Sequence, residues 1–326
     1  MSKHSILLAL SGSEQSRNAA EVAWLFAKRM NAEVTGVHVI DKNSVWELLR
    51  SDTPGFVGGG QYIEVYDRII ESLKSLSETL LHRYEDLSRQ AGVKGKCLVK
   101  EGNTISVLAH DSAQFDMVVV GHIPSHLRKF DRELSRYIRH SVAEGVAHES
   151  KVPVLIVQSA PIPWDAMTIV SEIDHVNVVY IRSCLKLARM LGLRASIEFW
   201  GTGVREESPD SLRQDLIKEI PEALNSEIEI EYFCGHSATE RKDLFHGEEL
   251  NQAALLPSET LFVLPTRGIA NNRITVFGIE PEEFIRSLSL PCLLLWPEDH
   301  KSFILEDGAN IEVSAAGGSQ AGGNSR

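Results

Sequence analysis

Through the first half of the chain, short unbroken apolar runs alternate with stretches in which apolar residues recur every three or four places. The first run, Ile6–Leu7–Leu8–Ala9–Leu10, lacks polar alternation and predicts a strand covered on both faces, as in a parallel sheet. Ser11–Gly12–Ser13 interrupts it, and Ser13 is placed to cap a helix carrying Ala20, Ala23, Ala27 and Met30 and ending near Asn31. Glu33 to Ile40 reads as the next strand, with Val34, Val37 and Val39 as its apolar content. The stretch from Asp41 to Gly60, with Pro54, Gly55 and Gly58–Gly59–Gly60, reads as a long, mobile loop. A long helix follows, its stripe formed by Tyr62, Val65, Ile69, Leu73, Leu76, Leu80 and Leu87, with Gly92 just past its end. Lys96 to Lys100 is a short strand and Thr104 to Ala113 a short helix.

Phe115 to Val157 then forms one complete unit. Met117–Val118–Val119–Val120 stops at Gly121, and a basic segment follows (Arg128, Lys129, Arg132, Arg136 and Arg139). His140–Ser141–Val142 opens a helix that leads into Val152–Pro153–Val154–Leu155–Ile156–Val157. In such a parallel crossover the turn after the first strand and the helix N-terminus face one crevice, the place to look for any small anionic ligand.

The pattern restarts after Ala160–Pro161–Ile162–Pro163–Trp164, a proline-stiffened linker. Met167 to Val170, Ala195 to Trp200, Ile228 to Phe233 and Leu261 to Pro265 are strand-like. Helices are expected through Val178, Ile181, Leu185, Ala188 and Leu191, through Leu212 to Leu224, and through Glu240 to Leu255. Leu290–Pro291–Cys292–Leu293–Leu294–Leu295 repeats the form of Val152 to Val157, so one α/β unit occurs twice. The domains are expected at 1–160 and 161–306, with a disordered glycine- and serine-rich tail at 307–326.

Composition narrows the classes. The chain has 326 residues, 43% hydrophobic and 24% charged, as in a soluble globular protein long enough for two cores. No apolar run approaches the ~20 residues of a membrane helix, and the N-terminus shows no secretory signal, which points to the cytoplasm. The net charge of −12 argues against nucleic acid as a partner. Cys97, Cys184, Cys234 and Cys292 lie far apart without a Cys-x-x-Cys pair, so no metal or redox motif is expected.

The strand–helix order, the glycine after the fourth strand and the helix leading into Pro-Val-Leu-Ile-Val resemble the universal stress protein family. The whole resembles its tandem type. The resemblance implies two doubly wound, Rossmann-like domains, each a five-stranded parallel sheet with helices on both faces. It also implies that the Val154–Val157 and Cys292–Leu295 edge strands pair in an intrachain pseudo-dimer. Nucleotide-binding members carry an Asp after the first strand, then Gly-x-x-Gly and, after a spacer, Gly-Ser/Thr. Here Ser11 stands in place of the Asp, Pro124 in place of the second glycine, and His140–Ser141 in place of Gly-Ser/Thr after a longer spacer. The second half has Ser171–Glu172 after its first strand and Arg267–Gly268 after its fourth, with no glycine pair.

By that resemblance Ser11, Gly12, Ser13, Val39, Gly121, His122, His140, Ser141 and Val142 line the candidate nucleotide crevice. The implied function is a non-enzymatic, cytoplasmic stress-response or regulatory protein with an altered or lost adenine-nucleotide site. It would act through protein partners, with a homodimer as a further possibility. The alternative within the family is a sensor binding ATP or AMP through a rebuilt loop. An enzyme reading rests on Ser11–Gly12–Ser13–Glu14–Gln15–Ser16, similar to the Ser-Gly-Gly-x-Asp-Ser loop of ATP pyrophosphatases but with Ser13 and Gln15 replacing its second glycine and its Asp. The basic segment reads as a solvated helical extension in preference to a phosphate clamp, and His122, His126, His140 and His148 as turn or surface residues in preference to metal ligands.

Overall fold

The computed structural model describes residues 4–51, 59–123, 141–160, 164–172, 175–201, 229–234, 259–269, 273–276 and 290–300, with a few single positions between. The basic segment, Pro124, His140, the expected helices at 212–224 and 240–255, and the tail lie outside them.

The first half runs β1 (His4–Ala9), α1 (Glu14–Met30), β2 (Ala32–Ile40), α2 (Lys42–Ser51), α3 (Gly59–Gln90), β3 (Gly95–Glu101), α4 (Thr104–Ser112), β4 (Met117–Gly121), α5 (Val142–Glu149) and β5 (Val154–Val157). The second runs β6 (Ala166–Glu172), α6 (Val178–Leu191), β7 (Arg194–Gly201), β8 (Glu229–Cys234), β9 (Thr260–Ile269), β10 (Arg273–Thr275) and β11 (Cys292–Pro297). Local chemistry fixes several boundaries. The Ser13 hydroxyl accepts the Ser16 N–H at the start of α1, and Asn31 closes that helix in the left-handed conformation. Asn177 and Gly192 do the same for α6.

All described strands belong to one 11-stranded sheet of order β3-β2-β1-β4-β5-β11-β9-β6-β7-β8, with β10 paired to β9 off this path. The order reads alike from either end. Pairing is parallel within each half apart from the β9–β10 hairpin, which the apolar pattern did not show. At the centre β5 and β11 meet antiparallel, Leu155 opposite Leu294 and Val154 opposite Leu295, as expected of the two edge strands.

Two apolar layers cover the sheet. One holds Ile6, Leu8, Phe26 and Leu155 together with Tyr180, Leu187, Leu294 and Trp296, so it runs unbroken from one half into the other. Phe26 meets Trp164 edge-on with ring centroids 6.0 Å apart, and Arg29 donates to the Leu191 carbonyl at 2.7 Å. The opposite layer includes Leu7, Val120 and Val146 with Val170, Phe262 and Leu295. No helix of the described residues is long and apolar enough to cross a membrane.

Two expectations need correction. Asp41 to Gly60 is not simply a loop, because it contains α2: Asp41 accepts the Ser44 N–H at 3.0 Å, an N-cap that the glycine and proline content obscured. The apolar stripe expected for α3 is only partly its buried face, since Leu80 and Leu87 pack against the core. Ile70, Ser77, Tyr84 and Ser88 face the interior, whereas Val65 is 46% and Leu76 66% exposed.

Candidate functional site

Strand order reverses between β1 and β4, whose C-terminal ends define the crevice of the first half. The loop after β1 is closed on itself. The Ser11 N–H donates to Ser16 Oγ at 2.8 Å, the Ser11 and Ser13 hydroxyls are 3.0 Å apart, and Ser16 Oγ reaches the Ala9 carbonyl at 3.5 Å. No carboxylate hangs from the end of β1; Ser13 caps α1, and Ser11 and Ser16 bond within the loop.

Gly121 makes a close approach within the protein itself. A Cβ there would lie 2.6 Å from the backbone carbonyl of Gln15 and 2.8 Å from the Ser16 nitrogen. The glycine lets the start of α1 approach the end of β4. His122, expected to line the crevice, is 1% exposed. Its Nδ1 is 3.3 Å from Ser141 Oγ, and its N–H donates to the Val157 carbonyl.

Ser141 heads α5 in a capping box. Its Oγ accepts the Glu144 N–H at 3.1 Å, and its own N–H donates to Glu144 Oε2 at 2.9 Å. Glu144 is 1% exposed, so a carboxylate of the protein already lies against the first turn of the helix that would greet a phosphate. Ser-x-x-Glu was readable in the sequence as a capping signal and marks a residue that the nucleotide reading missed. His38 was missed as well: its Nδ1 is 2.9 Å from the Leu10 carbonyl and therefore carries the proton as donor.

The candidate residues thus divide. Ser11, Gly12 and Ser13 open onto a groove of about 700 Å³ between α1 and α3, whose walls include Trp24, Leu80, Arg83, Tyr84 and Leu87. The Trp24 indole N–H donates to the Tyr84 hydroxyl at 3.2 Å, and burial pushes the Tyr84 pKa up. Gly121, His122 and Ser141 are not among its walls. Val39 is half-buried against the layer that includes Val120 and Ile156, and Val142 is exposed. Among the described residues, no group of three or more His, Cys, Asp or Glu side chains is placed to hold a metal ion.

The mirrored crevice, between the ends of β6 and β9, is occupied by an ion network. Arg267 makes a two-pronged contact with Glu298 (3.0 and 3.2 Å) and reaches Glu172 at 3.1 Å. His175 Nε2 is 3.7 Å from Glu298. Contact with Glu298 first, and then with Glu172, raises the Arg267 pKa. The registers explain the difference between the halves. Gly121 stands beside Val157 in the first, Leu264 beside Leu295 in the second, and β9 continues past that point to Ile269. A strand and a salt bridge therefore stand where β4 of the first half has ended.

The universal stress protein family model matches residues 3–158. A universal stress protein of Staphylococcus aureus strain USA300 is 30% identical over 166 residues, which cover 49% of this chain and 87% of that protein. One from Staphylococcus saprophyticus is 29% identical with the same coverage. In fold, the chain is similar to the crystal structure of a universal stress protein from Archaeoglobus fulgidus. The TM-score is 0.57 at 17% identity, covering 90% of this chain and 98% of that one.

Proposed function

Because the chain belongs to the universal stress protein family, we propose that it is a stress-response regulatory protein without catalytic activity, acting in the cytoplasm through protein partners. Its adenine-nucleotide site is altered in the first half and lost in the second. We take 1–160 and 161–306 as its two domains. The observation that carries the reading is the placement of carboxylates. Glu144 lies at the α5 N-terminus, and Glu172 and Glu298 clasp Arg267 across the other crevice. Each sits where a polyphosphate would need positive charge, and each is already satisfied by the protein.

The second reading is an ATP or AMP sensor confined to the first half. It is favoured by Ser141, which still presents a hydroxyl at a helix N-terminus. Calorimetric titration of the full chain with ATP, ADP and AMP separates the two. Absence of saturable heat agrees with the proposal. Tight ATP binding that is abolished in Ser141→Asp establishes the sensor, and release of AMP and pyrophosphate from ATP establishes an enzyme.

A further inference from the structure

Helix α3 carries two apolar stripes, and only one of them faces the interior. The second comprises Val65, Ile69, Leu73, Leu76 and Leu80, in which Leu76 is the most exposed large apolar side chain described, at 66%. Two hollows lie along it. One of about 260 Å³ is bounded by Val65, Arg68, Ile69, Ser72 and Leu73. The other is the groove of about 700 Å³ in which Leu80, Tyr84 and Leu87 face Ala20 and Trp24 of α1.

The spacing of the stripe is symmetric about a point between Ser72 and Leu73. An antiparallel copy of the helix, related by a two-fold axis at that point, sets Val65 opposite Leu80, Ile69 opposite Leu76 and Ser72 opposite Leu73. At about 100° per residue, Glu64, Asp67, Glu71 and Glu78 project from the opposite side of α3. The stripe itself thus carries no carboxylate, and in the groove Glu14 and Glu21 are accompanied by Arg17 and Arg83, with Arg17 paired to Glu21, which limits repulsion between copies.

We propose that this stripe docks a second copy of the chain, α3 against α3 and antiparallel, the N-terminal half of each helix lying in the α1–α3 groove of the other. The face from Val65 to Leu87 is roughly 33 Å long at 1.5 Å per residue. Covering it on both copies buries on the order of 1,000 Å², which reaches the size of a specific interface. The contact is isologous, so it closes at two copies. It differs from the β5–β11 pairing, which is already satisfied within one chain.

Light scattering coupled to size exclusion tests this on the full chain across its accessible concentration range. The expected mass is twice 36.2 kDa, falling to one chain in Leu76→Glu and staying at two in Leu98→Glu, an exposed position on β3. Under mild oxidation Ser72→Cys is expected to give a disulfide-linked dimer, whereas Glu78→Cys, on the far side of the helix, gives none. Should Leu76→Glu fail to fold, the Ser72→Cys cross-link decides alone. A wild-type chain that stays monomeric overturns the proposal, as does a dimer that persists in a folded Leu76→Glu variant or shows no Ser72→Cys link.

Discussion

Single residues show how a position can be legible while its purpose is not. Gly121 was recognisable as the glycine that ends the fourth strand, yet what approaches it is the Gln15–Ser16 backbone, a contact between segments over a hundred positions apart. No local pattern reports such a contact. Gly121→Ala should destabilise the fold by about 1–3 kcal/mol through overpacking, as measured by urea unfolding. Arg267 stood out in the sequence only as a departure from a glycine pair, because Glu298 reaches it from the turn just past β11. His300 illustrates the same limit. It lies near the Trp296 ring with its Nε2 buried, and burial holds its pKa below the ordinary imidazole value. The unfolded chain therefore takes up this proton first. The His300 contribution to stability is present above the unfolded imidazole pKa of about 6.5 and is lost as pH falls from there toward the lower folded value. Thermal unfolding compared at neutral and mildly acidic pH should show a smaller loss on acidification in His300→Gln than in the wild type.

At the scale of elements, periodicity was informative where it had one interpretation. The runs Ile6–Leu10 and Met117–Val120 are strands because nothing polar interrupts them, and capping at Ser13 and Gly192 is set by the residues themselves. The facing of helix α3 was read correctly at Leu80 and Leu87 but not at Val65 and Leu76, because the helix is apolar on two sides and period alone cannot tell the core stripe from the exposed one. α2 was missed because a single Asp cap is a weaker signal than the glycines and prolines around it. The central strands are the strongest case: Pro-Val-Leu-Ile-Val and Pro-Cys-Leu-Leu-Leu showed the repeat, the family resemblance implied that they pair, and the register bears this out. Leu294 is fully buried opposite Leu155, and Leu294→Ala should cost about 2–5 kcal/mol in chemical denaturation.

Over the whole molecule, the two halves share one sheet and one unbroken apolar layer, with Phe26 of the first against Trp164 near the start of the second. A single cooperative heat-absorption peak is therefore expected in scanning calorimetry, and two resolved peaks would show that the layer does not couple the halves. The family's scaffold was legible because it is written in strand length and order. Its chemistry was legible only as departures at Ser11, Pro124 and His140. The observed arrangement there, a serine-closed loop after β1, Glu144 at the start of α5 and Glu172 and Glu298 around Arg267, depends on side chains meeting across the fold. Native mass spectrometry of the freshly purified full chain addresses this most directly. The expected spectrum contains only the doubled polypeptide mass, with no adenine-nucleotide adduct even after incubation with ATP; a stoichiometric ATP or AMP adduct released on denaturation would contradict the proposed alteration and loss of the two sites.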